Sequence, residues 1–351
     1  MRTVVQQLDR KNLKEEDFFV AGELIRKGKL VAFPTETVYG LGADACNSQA
    51  SKQIYLAKGR PCDNPLIVHI ADIFSLEKLT KEIPEVAYRL AEHFWPGPLT
   101  MILKKSDIVP YEITGGLETV GIRMPSDPIA SMFIKASKRY IAAPSANSSG
   151  RPSTTRAEHV IEDLDGKIDM ILDGGASTIG LESTILDLTG EIPTILRPGF
   201  ITAKQLKQVT KIIQYDKAVL NRNKKLTVVA KAPGMKYKHY APKADLTIYE
   251  GSSKAVIDAI NREAKQQELQ KRKVGILATD ETISEYLYGI VKSVGTRENE
   301  ITITSSLFER LREFDTIGVE VIYAESFDSM KHGQAVMNRL LKAAGYQIIK
   351  V

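Results

Sequence analysis

The 351-residue chain has little cysteine, no long apolar run and no block of charge of one sign. Its two cysteines, Cys46 and Cys62, lack metal-ligand spacing and are too few for a disulfide framework, which favours a reducing compartment. No stretch approaches the ~18 apolar residues of a membrane span, and the charged start, MRTVVQQLDRKNLKEEDFF, has no apolar signal core. We therefore expect a cytoplasmic protein without a membrane segment.

A Walker A motif is also missing. Gly28-Lys29 and Gly166-Lys167 lack the first glycine of a Walker A motif at the right spacing, and no Ser or Thr follows them. The formal net charge of +5, from 48 Lys and Arg against 43 Asp and Glu, permits binding of a polyanion without requiring it. A nucleotide, if bound, needs another phosphate cradle.

The length predicts about two domains. Short β-branched runs alternate with helical patterns in residues 1–215, and the closely spaced TILDL and TILRPG favour antiparallel pairs, so we predict a twisted mixed sheet in an α/β domain. Residues 216–244 read as a linker. Strands and helices then alternate strictly over 245–351, with one helix expected at ISEYLYG, which predicts a small doubly wound Rossmann-like α/β domain.

The stretch GLGADA, Gly40 to Ala45, matches a dinucleotide-binding fingerprint after a predicted strand. The acidic residue expected about twenty positions later falls at Asp63, within a loop instead of at a strand end. This pattern favours a structural glycine turn over an NAD-dependent oxidoreductase.

Several strand-end loops carry cations and hydroxyls. Lys58 and Arg60 follow a predicted helix, where cations commonly offset the helix dipole, and His69 late in an apolar strand is typical of a core histidine. Arg123 stands in an apolar strand and must find an anion, either in a buried salt bridge or as a clamp on a ligand carboxylate.

Two further loops carry the same residue types. The loop APSANSSGRPS, with Ser145 and Ser153, offers hydroxyl and backbone N–H donors to an anion, although polar loops often bind nothing. The segments GLESTILDL and ILRPG add Glu182, Ser183 and Arg197. Such loops, without Ser-His-Asp or metal-ligand spacing, favour phosphoryl or nucleotidyl transfer by positioning of anions.

These segments, taken in order, resemble the long, two-domain form of the threonylcarbamoyl-AMP synthases. The resemblance rests on FPTETVYGLGADA, KGRPCDNPLIVHI, FWPGPLTMIL, VGIRMPSDP, PSANSSGRPS, DGGASTIGLESTILDL and ILRPG, and it extends to APGMKYKHYAP and AVMNRLLKAAG. It implies a YrdC-like catalytic domain that makes threonylcarbamoyl-AMP and pyrophosphate from L-threonine, bicarbonate or CO2, and ATP. The product is used by other proteins to modify adenosine 37 of tRNA, forming t6A.

The resemblance also implies roles for particular residues. The threonine site would use Thr35, His69, Arg123, Ala143 and Ser183, and the ATP site would use Lys58, Arg60, Asn64, Thr119, Ser145, Ser153, Arg197 and Tyr237. Lys58, Arg60 and Arg197 would counter the developing charge, and Mg²⁺ would bridge the ATP phosphates with few direct protein ligands. No general base is assigned.

The linker segment KAPGMKYKHYAP carries aromatic side chains that an ordinary linker does not need. By resemblance it would fold over the catalytic cleft, with Tyr237 against the nucleotide and with His239 and Tyr240 in structural roles. The alternative is that its aromatic residues pack between the domains. A non-catalytic RNA-binding module remains the main competing function, and direct contact with tRNA is left open.

Overall fold

The computed structural model describes residues 2–220, 232–233, 239–327 and 331–351. Within them, twelve strands form one mixed sheet and five more form a second sheet. The strands of the first sheet are β1 (Val4–Gln7), β2 (Val31–Phe33), β3 (Gly40–Asp44), β4 (Ile67–His69), β5 (Thr80–Glu82), β6 (Leu99–Lys105), β7 (Thr119–Arg123), β8 (Ile141–Ala142), β9 (Met170–Asp173), β10 (Thr184–Asp187), β11 (Thr194–Arg197) and β12 (Gln214–Tyr215).

Helices flank this first sheet. They are α1 (Phe19–Arg26), α2 (Ser48–Lys58), α3 (Ser75–Leu79), α4 (Glu85–Phe94), α5 (Tyr111–Thr114), α6 (Pro128–Ser137), α7 (Ala157–Leu164), α8 (Ala203–Thr210) and α9 (Lys217–Leu220), and a 3-10 turn at Glu15–Phe18 precedes α1. Helix α4 shows why they pack: Ala87, Leu90 and Ala91 recur at helical spacing and are its buried residues.

The strand order of the first sheet is β1-β9-β2-β3-β8-β4-β7-β6-β10-β11-β12, with β5 paired to β6. Strands β10 and β11 are antiparallel, as their spacing predicts, whereas β4 and β7 are parallel. The expected twisted mixed sheet is therefore confirmed.

The GLGADA segment is neither a dinucleotide loop nor a glycine turn, so both sequence interpretations were wrong. Gly40–Asp44 is strand β3, antiparallel to β2 and fully buried. A Cβ on Gly42 would lie 2.8 Å from the Ile141 side chain, so glycine is needed for close strand packing.

The second sheet is entirely parallel, in the order β15-β14-β16-β13-β17. Its elements are β13 (Asp245–Glu250), α10 (Ser253–Leu269), β14 (Val274–Ala278), β15 (Ile290–Ser293), α11 (Glu300–Ile317), β16 (Val321–Glu325), α12 (Gly333–Ala343) and β17 (Ile348–Lys350). The doubly wound expectation is confirmed.

The prediction of a helix at ISEYLYG is wrong, because only Ile283–Glu285 forms a 3-10 turn. The chain is extended at Tyr286, whose ring is buried and whose hydroxyl donates to Glu325.

The two sheets share packing across the chain. Val38 and Leu181, from the first part of the chain, join the apolar cluster of the second sheet, and Tyr240 stacks on Phe308 with ring centroids 5.2 Å apart. In the described ranges, no helix has the length and apolar character to cross a membrane.

Candidate active site

One edge of the first sheet collects polar side chains from several strands. His69 ends β4 and Arg123 ends β7, and the parallel register pairs these two residues. Thr100 of the antiparallel strand β6 lies opposite Arg123, and Arg197 ends β11 at the same edge. Because strand ends meet there, side chains far apart in sequence converge on one cavity.

Ten of the predicted site residues line this cavity: Thr35, Lys58, Arg60, His69, Arg123, Ala143, Ser145, Ser153, Ser183 and Arg197. Tyr237 lies outside the described residues. Asn64 and Thr119 are not among the lining residues. Thr119 begins β7 on the face that Arg123 also occupies, and the Ile67–Gly121 register brings it beside the Asn64 segment.

Arg123 is 4% exposed and makes a buried ion pair. Its Nη2 lies 2.7 Å from Glu36 Oε1, but the angle is too poor for a hydrogen bond. Its Nη1 donates to the Thr37 hydroxyl at 2.8 Å. The buried salt bridge, one of the two alternatives from the sequence, is therefore present. The guanidinium also lines the cavity, and its role as a clamp on a ligand carboxylate stays a prediction.

His69 is held as a neutral ring. Its Nδ1 lies 3.2 Å from the Ile67 carbonyl, so Nδ1 carries the proton and Nε2 is left as an acceptor. Burial, and then the Arg123 charge, lower the pKa of His69 to about 3. A neutral imidazole at this point can accept a hydrogen bond from an amine or hydroxyl of a ligand.

This burial predicts a pH-dependent stability. The folded-state pKa of His69 is depressed below its unfolded value, so its contribution to stability is present above about pH 6.5 and is lost as the pH falls, by about 2 kcal/mol at pH 5. The free energy of unfolding, measured with urea at pH 7.5 and pH 5.0, should therefore fall less for His69→Gln than for the unmodified chain. Equal losses in both proteins would contradict this assignment.

Lys58 ends α2, and Gly59 in the left-handed conformation turns the chain away, with φ of 62°. The Lys58 ammonium donates to the Ser145 carbonyl at 2.5 Å and to the Asn147 carbonyl. Burial, and then the nearby Arg60, hold the pKa of Lys58 well below its usual range. This lysine is therefore positioned in the cavity wall, in a setting where an anion would stabilise its charge.

Arg197 and Ser183 form one unit. The Arg197 guanidinium donates twice to the Ser183 carbonyl, at 3.1 and 3.0 Å, and once to its hydroxyl at 3.1 Å. That hydroxyl also lies 2.7 Å from the Thr100 hydroxyl. Burial lowers the pKa of Arg197 to about 10.

Ser153 and Thr35 already have partners for their hydroxyl groups. The Ser153 hydroxyl donates to Glu182 Oε1 at 2.5 Å, and the Thr35 hydroxyl donates to the Val38 carbonyl at 2.6 Å. A ligand that hydrogen-bonds to either hydroxyl must leave the existing hydrogen bond of that hydroxyl in place or replace it.

Described residues of the predicted linker line the cavity. Pro233, His239 and Tyr240 are among the lining residues, and the Ala241 N–H donates to the Gly150 carbonyl at 2.8 Å. Burial, and then Arg60, lower the pKa of His239 to about 3, so this ring is neutral and carries no charge to the site. His239 therefore adds an uncharged but polar ring to the cavity wall, since its buried Nε2 has no hydrogen-bond partner among the described residues.

Cations outnumber carboxylates in this cavity. Among the described residues, no carboxylate lies within ion-pair distance of Lys58, Arg60 or Arg197, and the one lining carboxylate belongs to Glu182. Burying such cations costs free energy unless an anion joins them. The cavity is therefore suited to a ligand with several negative charges.

Comparisons with known proteins show the family of this chain. A family model described as "Telomere recombination" (Sua5_yciO_yrdC) matches residues 23–199, and one described as "Threonylcarbamoyl-AMP synthase, C-terminal domain" matches residues 201–345. The chain is 48% identical to the threonylcarbamoyl-AMP synthase of Pyrococcus abyssi, over 97% of this chain and 98% of that protein. The chain belongs to the threonylcarbamoyl-AMP synthase family.

Other relatives agree with this family. The threonylcarbamoyl-AMP synthase of Bacillus subtilis is 49% identical, over 99% of both chains. A crystal structure of P. abyssi Sua5 in complex with L-threonine superposes with a TM-score of 0.93 at 47% identity, and each chain is covered completely, at 100%. The resemblance seen in the motifs is confirmed, and so is the prediction of an enzyme that forms threonylcarbamoyl-AMP.

Three residues near the site of this synthase were given no role from the sequence. Glu36 pairs with Arg123, while Arg339 and Lys342 come from α12 of the second sheet. Burial, and then Arg339 and Arg197, lower the pKa of Lys342 to about 7. Only the buried charge of Arg123 signalled a partner such as Glu36, and the AVMNRLLKAAG motif signalled α12 without showing where it packs.

No group of three or more His, Cys, Asp or Glu in the described residues could hold a metal ion. The carboxylates near the cavity already have partners, because Glu36 contacts Arg123 and Glu182 accepts from Ser153 and Arg339. The described residues therefore offer a Mg²⁺ ion no ready set of protein ligands.

Proposed function

We propose that this synthase carries out its reaction inside the cavity at the sheet edge, with L-threonine near Arg123 and the ATP phosphates near Lys58, Arg60 and Arg197. The observation that carries the proposal is a set of three cations without carboxylate partners among the described residues, of which Lys58 and Arg197 are buried and Arg60 is partly buried, next to an arginine that faces the same cavity. A triphosphate and an amino-acid carboxylate together supply the missing negative charge.

The threonine site would consist of Arg123, His69, Thr35, Ala143 and Ser183. The Arg123 guanidinium clamps the substrate carboxylate with its donors, as guanidinium groups commonly do. The acceptor Nε2 of His69 receives a hydrogen bond from the threonine hydroxyl or amine. The L-threonine complex of P. abyssi Sua5, a close structural match, supports the class of ligand.

The ATP site would comprise Lys58, Arg60, Asn64, Thr119, Ser145, Ser153, Arg197 and Tyr237. The three cations would contact the phosphates, and Mg²⁺ would enter with ATP as part of the substrate. Asn64 has a buried Oδ1 without a hydrogen-bond partner among the described residues, which supports a role as an acceptor for a nucleotide donor.

The chemistry needs alignment more than acid–base catalysis. The neutral amine of threonine attacks CO2, a new N–C bond forms, and the proton passes to solvent or to a substrate phosphate. The carbamate oxygen then attacks the α-phosphorus in line, the bond to the β-phosphate oxygen breaks, and pyrophosphate leaves. Lys58, Arg60 and Arg197 offset the negative charge that develops on the departing group.

The covering wall protects the product. A mixed carbamic–phosphoric anhydride hydrolyses easily, so a lid that excludes water preserves it until release.

We assign residues 1–215 to the catalytic domain, 216–244 to the linker that covers the cleft, and 245–351 to the C-terminal domain. The product is passed to the machinery that transfers threonylcarbamoyl to tRNA.

Pyrophosphate release tests this function directly. With MgATP, L-threonine and bicarbonate together, release should be rapid, and omission of either threonine or bicarbonate should reduce it to the background rate. Mass spectrometry should detect threonylcarbamoyl-AMP only in the complete mixture. Release that is independent of threonine, or no turnover in any mixture, would contradict the proposed reaction.

A further inference from the structure

Arg339 of α12 is the largest fully buried side chain of the chain's described part, at 1% exposure. Its guanidinium reaches out of the second sheet and into the first. Nε donates to Glu182 Oε2 at 3.0 Å, Nη2 donates to the Glu182 carbonyl at 3.2 Å, and Nη1 donates to the Pro198 carbonyl. One side chain of α12 thus contacts two segments that lie 157 and 141 residues earlier in the chain.

Both segments continue directly into the site. Glu182 precedes Ser183, and Pro198 follows Arg197, so each recipient is bonded to a cavity residue. The two segments are also tied to each other, because Arg197 donates to the Ser183 carbonyl. A shift of the Arg339 guanidinium would therefore move both of these residues.

The Glu182 carboxylate extends this connection to a third segment. Its Oε2 accepts from Arg339 while its Oε1 accepts the Ser153 hydroxyl at 2.5 Å. Burial opposes ionisation of Glu182, but Arg339 and Arg197 outweigh it and lower the pKa of this carboxyl group. Glu182 is therefore an anion fixed between the cations of the two parts of the chain.

We propose that Arg339 is a positioning residue of this synthase, through which the C-terminal part of the chain fixes Ser153, Ser183 and Arg197 in the geometry that the substrates require. The inference rests on the proposed function of those three residues. It gives the C-terminal domain a defined part in catalysis, although Arg339 itself does not line the cavity.

A simple docking role is the competing explanation, and the chain offers a matched control. Arg156 of the first part pairs with Glu309 of α11 at 2.7 Å, so this ion pair also joins the two parts of the chain. Arg156 does not line the cavity, and its side chain is 44% exposed. Arg156→Gln therefore weakens docking without changing Glu182 or Pro198.

The kinetic test compares Arg339→Gln, Arg339→Lys and Arg156→Gln. Displacement of reacting groups by about an ångström can reduce rates a hundredfold, so we expect Arg339→Gln to lower kcat/KM for ATP by about tenfold to a hundredfold, with a raised KM. Arg339→Lys keeps the positive charge but cannot make all three hydrogen bonds to Glu182 and Pro198, so it should recover only part of the kcat/KM that Arg339→Gln loses. Arg156→Gln should stay within about twofold of the unmodified enzyme.

A double variant identifies the route of the effect. If Arg339 acts through Glu182, then Glu182→Gln combined with Arg339→Gln should lose no more activity than the more impaired single variant. Losses that multiply, or a KM for ATP within twofold of normal in both Arg339 variants, would overturn the positioning role.

Amide hydrogen exchange provides a readout that does not depend on the reaction. In Arg339→Gln, peptides that span residues 182–199 should exchange at least tenfold faster, whereas Arg156→Gln should leave them unchanged. Unchanged exchange in these peptides of Arg339→Gln would overturn the inference, whatever the activity of that variant. Faster exchange together with a failed pyrophosphate assay would instead reject the proposed function and retain the structural coupling.

Discussion

Replacing Arg123 with glutamine should raise the KM for L-threonine by about a hundredfold or more. Each hydrogen bond to a charged group is worth roughly 1.5–3 kcal/mol, and a carboxylate clamp uses two of them, so a loss near 3 kcal/mol is expected. That loss corresponds to about two orders of magnitude in affinity. The change also leaves the Glu36 carboxylate, now 2.7 Å from Nη2, facing the substrate's own negative charge without a counter-ion.

The buried ion pair complicates this variant, and a second substitution resolves the complication. Removing one partner of a buried pair costs about 3–5 kcal/mol of stability, because the remaining charge is uncompensated. Glu36→Gln together with Arg123→Gln removes both charges, so thermal stability should recover while the KM for threonine stays high. A double variant that regains a normal KM would show that Arg123 serves the fold and not the substrate.

Measurements of initial rates at saturating MgATP and bicarbonate, with threonine varied, give the required KM values. If the single variant changes the KM for threonine by less than threefold, the carboxylate must bind elsewhere in the cavity. His69 and Ser183 would then be the next residues to vary, since both line the same space.

The position of Arg123 illustrates how far the sequence alone leads. A charged residue in an apolar strand requires an anion, and that requirement was readable from VGIRMP. Its partner was not, because Glu36 lies in the loop between β2 and β3 and meets Arg123 only after the sheet has formed. Local patterns predict the need for a partner, whereas topology supplies it.

The same limit applies to secondary structure. Strand β6 coincides with the predicted LTMILKK, because the residues 99–103 are all buried. Two segments differ from prediction for tertiary reasons. Glycines in β3 relieve close packing against Ile141, and the Tyr286 ring is drawn into the core by its bond to Glu325, which ends the ISEYLYG turn after Glu285.

The C-terminal part shows the largest gap between sequence and site. Its alternating pattern predicts a parallel α/β sheet, and the structure has one. Nothing in that pattern indicates that Arg339 leaves its own domain, because an arginine on a helix is ordinarily exposed. Only its complete burial, with donors directed at Glu182 and Pro198, reveals the connection.

Replacing Lys58 with methionine should lower kcat by about a thousandfold with a much smaller effect on the KM for threonine. Removing one donor that stabilises developing charge typically costs a hundredfold to a thousandfold in rate, and a buried, desolvated ammonium belongs at the upper end of that range. Methionine keeps the length of the side chain and removes only its charge and its donors. Lys58→Arg should not restore activity, because the planar guanidinium does not fit between the Ser145 and Asn147 carbonyls.

The stability of this variant separates catalysis from folding. The buried Asn147 carbonyl and the partly buried Ser145 carbonyl lose their donor, at up to about 1–3 kcal/mol each, but removal of a desolvated charge offsets much of that cost. We therefore expect a shift in Tm of only a few degrees alongside the large loss of kcat. Lys52→Met is the matched control, since Lys52 lies on the exposed side of the same helix and pairs with Glu112 at 3.6 Å. If Lys58→Met keeps kcat within tenfold of the control, the charge on the departing pyrophosphate must be offset by Arg60 and Arg197 alone.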